Sequence, residues 1–133
     1  MFRSDPAAQG DAGFRDRFGR FAHVCRTVEA HLAEPELSID RLAALVAMSR
    51  RQLQRDFADN GTSFTQFLAE RRVRLTADHL RRAARQGERP AISDIAWRAG
   101  FSDLSNFNRT FRSHFGMSPR DYHASVATGA VES

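Results

Sequence analysis

Lysine is missing altogether: all 20 basic residues of the 133-residue chain are arginine. A single cysteine, Cys25, excludes an intramolecular disulfide or a cysteine-based metal site, and fits a reducing, cytoplasmic compartment. With eight glycines and four prolines the chain is not low-complexity, so it is expected to fold. Apolar runs long enough to span a membrane are lacking, and the stretch from Met1 to Phe21 has no apolar core of the signal-peptide kind; no membrane partner is expected. Histidines 23, 31, 79, 114 and 123 are scattered without metal-ligand spacing, and a glycine-rich phosphate loop is absent. An enzyme, a metal and a cofactor are therefore not expected.

What is present is cationic. The formal net charge is +4 and the pI about 10.8, which makes a polyanion the first partner to consider. Arginine also prefers planar, bidentate partners such as phosphate oxygens and guanine edges.

The apolar pattern predicts an all-α chain. Residues 1–18 mix Gly, Pro, Asp and Arg and are expected to form a flexible tail or linker. Phe21, Val24, Cys25, Val28 and Leu32 then trace one helix face that stops before Pro35; Cys25 on that face reads as a buried structural thiol. Ser38 is placed to cap a short helix with Asp40 in its first turn. Ser49 is placed to cap a third that runs to about Asn60 with Leu53 and Phe57 inward. Ser63 and Gln66, at capping-box spacing, open a long helix over about 63–84 that carries the cluster Arg71-Arg72-x-Arg74. After Pro90 the pattern starts again. Ser93 is the expected cap of a short helix through Ile95, Ala96 and Ala99, and Gly100-Phe101 makes a turn. Phe107, Phe111 and Phe115 line the next helix, and Ser118-Pro119-x-Asp121 opens a closing helix with Tyr122. Residues 125–133 are expected to be a second tail.

The halves repeat. Leu42-Ala43 aligns with Ile95-Ala96, Ala47 with Gly100 and Ser49 with Ser102, at an offset of 53; after one inserted residue Leu53, Gln54, Arg55 and Phe57 align with Phe107, Asn108, Arg109 and Phe111, at an offset of 54. A duplicated helix-turn-helix is the simplest account. At about 100° per residue, Arg51, Gln54 and Arg55 lie opposite Leu53 and Phe57, and Ser105, Asn108, Arg109 and Arg112 lie opposite the three phenylalanines. Arg suits guanine O6 and N7, Asn and Gln suit adenine N6 and N7, and Ser bonds several base edges or a phosphate. Any surface helix can show such residues; two equivalent ones, each behind a short helix and a tight turn, point to recognition helices. Leu104 reads either as a contact to a thymine methyl or as a packing residue. A protein-binding adaptor is the rival, but acids are largely absent from these faces, Asp103 being the exception.

The run IAWRAGFSDLSNFNRTFRSHFGMSPRDY at 95–122 closely resembles the signature of the AraC/XylS family of bacterial transcription regulators, I-A-x-x-x-G-F-x-x-x-S-x-F-x-R-x-F with G-x-x-P-x-x-Y downstream. LAALVAMSRRQLQRDF, Gly61 and RRVRL resemble the family's first unit and linker helix, so the resemblance spans about residues 20–124. It departs at His123, where the family usually has Arg, and in a longer segment between Leu80 and Ile92. It implies a domain over 19–124: about seven helices in two helix-turn-helix subdomains (about 20–62 and 92–124) joined by the long helix. Its function would be sequence-specific binding of double-stranded DNA, more as an activator than a repressor, with RNA polymerase as protein partner. Arg51, Gln54, Arg55, Leu104, Ser105, Asn108 and Arg109 would then contact bases, and Ser38, Ile39, Ser49, Arg50, Ser93, Ser102 and Arg112 phosphates. Either the chain is a stand-alone, monomeric regulator or it is the DNA-binding part of a longer, effector-responsive one.

Overall fold

A computed structural model describes residues 12–129, with side chains from Phe18 onward. Among the described residues there are seven helices: α1 (Ala12–Ala30), α2 (Ile39–Val46), α3 (Arg50–Asp59), α4 (Phe64–Arg85), α5 (Ile92–Arg98), α6 (Leu104–Phe115) and α7 (Pro119–Ala127). None of the helices is long and apolar enough to cross a membrane.

Hydroxyl caps start four of the helices as the sequence suggests. Ser38, Ser49, Ser63 and Ser118 accept from the backbone N–H of Arg41, Gln52, Gln66 and Asp121 at 3.0–3.1 Å, each satisfying one of the orphan donors of a helix start. Two starts differ. α5 begins at Ile92 behind Ala91, which offers no side-chain cap, so Ser93 lies in the first turn rather than at its head. This earlier start puts Ile92 and Ile95 three apart on the face that packs into the second core. α6 is capped by Asp103, not Ser102: its Oδ1 accepts from Ser105 N–H at 2.9 Å and Asn106 N–H at 3.3 Å. The inserted residue of the repeat thus lies in the turn, and Ser49 corresponds to Asp103.

The tails are also shorter than expected. α1 opens at Ala12, and Phe18 on it is exposed, outside the Phe21–Cys25 stripe that packs against the first core; at the other end α7 takes in 125–127. The rest of the two expected tails, residues 1–11 and 130–133, lies outside the described residues.

Two apolar cores hold the helices. The first joins Val24, Val28, Leu32, Leu37, Leu42, Leu53, Phe57, Phe67 and Leu68; the second joins Val73, Ala77, Leu80, Ile95, Ala96, Ala99, Phe101, Phe107, Phe111 and Tyr122. Each buried Leu or Phe contributes about 1.5–3 kcal/mol over an exposed one. α4 supplies its N-terminal half to one core and its C-terminal half to the other, with Leu75 packed against both. The connecting helix is therefore a structural member of each unit rather than a spacer. Beyond it, His123 Nε2 donates to the Glu88 carbonyl at 2.7 Å, which ties the long segment before α5 to α7.

Candidate nucleic-acid interface

α3 and α6 present the two candidate faces, and each is positioned from behind. In α3, Leu53 and Phe57 are fully buried, and Phe57 packs edge-on against Phe21 and Phe64. Asp56, 5% exposed, anchors the same inner side. Arg20 of α1 donates to its two oxygens at 3.0 and 3.2 Å, and Gln52 donates at 2.8 Å. Burial pushes the Asp56 carboxyl up, but the hydrogen bonds from Arg20 and Gln52 outweigh it and hold the group below its ordinary value, hence ionised. In α6, Phe107 and Phe111 are fully buried, Phe111 between Phe115 and Tyr122.

The opposite sides are open. Arg51, Gln54 and Arg55 are exposed on α3, and Ser105, Asn108, Arg109 and Arg112 on α6. Leu104 is half-buried against the second core. It also lines a groove of about 400 Å³ between α5, α6 and α7 that brings together Ser93, Asn108 and Arg112 with Ser118 and Arg120. Two residues beside these faces are not visible in the sequence pattern, Arg120 in the groove and Asn106 on α6. Arg120 follows the N1 proline of α7 and is visible only once α7 is set beside α6. Asn106 receives a hydrogen bond from Arg109 Nη2 at 3.3 Å and so restrains that guanidinium.

The candidate phosphate contacts differ between units. Ser38 and Ser49 are exposed, and each hydroxyl still has its own hydrogen to donate while its oxygen caps a helix. Ile39 is half-buried at the first position of α2. Arg50 reaches back to Asp40 at 3.4 Å, an exposed pair worth little against a phosphate competitor. In the second unit Ser93 is half-buried; Ser102 is exposed but stands outside the helix, beside the acidic cap Asp103. Cys25 is half-buried rather than fully buried; burial raises its thiol pKa, with Arg71 acting in the opposite direction, so it stays protonated. Among the described residues no cluster of His, Cys, Asp and Glu is placed to hold a metal ion.

A family model described as a helix-turn-helix domain matches residues 42–125. The transcriptional activator RhrA of Rhizobium meliloti (strain 1021) is 38% identical over 102 residues, 77% of this chain and 32% of that protein. The right origin-binding protein of Escherichia coli (strain K12) is 33% identical over 111 residues, 83% of this chain and 36% of that protein. The chain thus spans about a third of the length of the curated relatives it matches. Among solved structures, an AraC-type transcriptional regulator from Chromobacterium violaceum is 32% identical with a TM-score of 0.66, over 87% of this chain and 96% of that one. The DNA-binding domain of AdpA, solved in complex with a target DNA, is 28% identical with a TM-score of 0.69, over 81% of this chain and 93% of that one. The match of most of the chain to this family model, together with these relatives and the duplicated unit around a shared helix, establishes that the chain belongs to the AraC/XylS family of helix-turn-helix regulators.

Proposed function

We propose that the chain binds double-stranded DNA sequence-specifically as the DNA-binding part of a transcription activator, with α3 and α6 in successive major-groove segments. The carrying observation is the equivalence of the two helices: each buries an apolar pair at matching register, Leu53 and Phe57 or Phe107 and Phe111, and exposes Arg with Asn or Gln on the other side. Arg51, Gln54 and Arg55 read one segment, and Ser105, Asn108 and Arg109 the other. Leu104 serves packing first and offers its remaining surface to a thymine methyl. One copy suffices, because it carries both helices. The relatives named transcriptional activators support the direction of regulation, and RNA polymerase in the cytoplasm is the second partner of such a protein.

The two units hold the backbone differently. Ser38 and Ser49 can donate to phosphates from the starts of α2 and α3, with Ile39 N–H and Arg50 beside them. At α6 the cap is an acid, which disfavours a phosphate there. In the second unit the contacts pass instead to Arg112 and Arg120 along the groove, with Ser93 secondary and Ser102 least suited.

Arg55→Ala and Arg109→Ala are expected to relax preference at one base pair each, by about 1–3 kcal/mol, whereas Arg112→Ala weakens binding to all sequences alike and lowers the salt slope by about one. Selection from a randomised site, on variants whose circular dichroism matches the parent, separates these. Uniform loss across sequences for Arg55→Ala and Arg109→Ala would make them phosphate anchors and end the base-reading assignment.

A further inference from the structure

The cluster Arg71-Arg72-x-Arg74 has one member that faces no solvent. Arg71 pairs with Glu29 at 3.1 Å and lies over the Phe67 ring, and Arg74 is exposed, but Arg72 is 8% exposed in the middle of α4. Among the described residues no carboxylate pairs with it. Its fork instead donates from Nε to the Leu32 carbonyl at 2.9 Å and from Nη2 to the Glu34 carbonyl at 2.5 Å, both in the turn that follows α1. Gly100, in the turn of the second unit, sits directly against this contact. A Cβ on Gly100 would stand 2.5 Å from the Leu32 oxygen and 2.8 Å from Arg72 Nε. One buried cation thus touches the first unit's α1–α2 turn, the shared helix and the second unit's α5–α6 turn.

The internal repeat shows that this contact is particular to the second turn. Ala47, the counterpart of Gly100, also has a left-handed backbone, φ 56, yet it is exposed and keeps a side chain. Gly100 is buried, at φ +97, with no room for one. On the first unit's side, the turn is braced from outside. Glu34 accepts from Arg41 Nε at 2.7 Å and from His31, and these hydrogen bonds, Arg41 first, hold its carboxyl at about 2. The turn that offers its carbonyls to Arg72 is therefore fixed at α2 as well.

We infer that Arg72 is a positioning residue: with Gly100 and the Leu32 and Glu34 carbonyls it clamps the two units at one angle, and so sets the spacing between DNA segments that the chain accepts. This rests on the two-helix reading above. A rigidly paired module loses simultaneous engagement when the spacing is wrong, whereas a loosely tethered one adapts at some loss of avidity.

The test uses the full chain and duplexes in which none, one or two base pairs are inserted between the segments. For the parent, two inserted base pairs are expected to weaken binding about 100-fold or more; for Arg72→Met the loss falls to within about tenfold, even though its affinity for the uninterrupted site is lower. Arg72→Lys, which keeps stem and charge but has no fork, shifts the same way and stands in if Arg72→Met does not melt cooperatively. Ile95→Val, a mild loss in the second core alone, must leave the spacing profile unchanged. Spin labels at Asp59→Cys and His114→Cys in a Cys25→Ala background read the angle without DNA. A narrow distance distribution is expected for the parent and a broad one for the Arg72 variants. Unchanged distances, or an unchanged spacing profile, in folded Arg72 variants would overturn the clamp and leave the two-helix reading standing. A parent indifferent to spacing would sink that reading and the proposal with it, while the DNA-free distances judge the clamp separately.

Discussion

Gly100→Ala should destabilise the protein by about 2–5 kcal/mol, seen as a fall in melting temperature of roughly 10–20 °C. Two costs add. A left-handed backbone costs an L-residue about 1–2 kcal/mol, and φ +97 lies beyond even the usual left-handed region. The new methyl would also meet the Leu32 carbonyl at 2.5 Å, a backbone atom that cannot swing aside, and overpacking of this kind costs about 1–3 kcal/mol. Gly61→Ala and Gly116→Ala isolate the first cost, since both have positive φ and nothing within 4 Å of an added Cβ. They should lose only about 1–2 kcal/mol. Urea unfolding of the three variants decides the matter: a Gly100→Ala no worse than Gly116→Ala would mean that the two turns do not touch.

Binding to duplex DNA should weaken steeply with salt. An arginine surface that neutralises about six phosphates releases their condensed counterions, giving a slope of about −5 in log affinity against log salt and a loss of roughly 10³-fold between 50 and 200 mM. Arg50, Arg112 and Arg120 are the leading contributors, because they are exposed beside the helix starts and the groove. Arg72 contributes nothing, since its charge is spent on carbonyls inside the fold. A titration across salt concentrations with one fixed duplex measures the slope, and a value shallower than about −2 would mean that the arginines do not meet the backbone.

Much of the fold is legible in local pattern because its causes are local. A serine three residues ahead of the amide it caps, a phenylalanine every fourth position, and a glycine closing α6 at φ +75 all act within a single turn. The faces of α3 and α6 follow from the same periodicity, and both expose the expected side chains. Legibility ends where the cause is remote or where neighbours compete. Ser93 and Ser102 are good caps by type, yet α5 starts earlier, with Ile92 packed beside Ile95 at the margin of the second core, and the extra turn residue hands the start of α6 to Asp103. Nothing local sets Arg72 apart from Arg71 and Arg74 in their cluster, because the carbonyls that draw it inside lie 40 and 38 residues away. Arg120 joins the groove only through the packing of α7.

Guanine N7 protection by a single bound molecule tests the two-helix reading most directly. On a selected site, at a stoichiometry of one chain per duplex, methylation protection should appear in two major-groove patches about 10 bp apart, with Arg109→Ala erasing guanine protection in one patch and Arg55→Ala in the other. Protection of a single patch, or of two patches only when a second molecule binds, would contradict it.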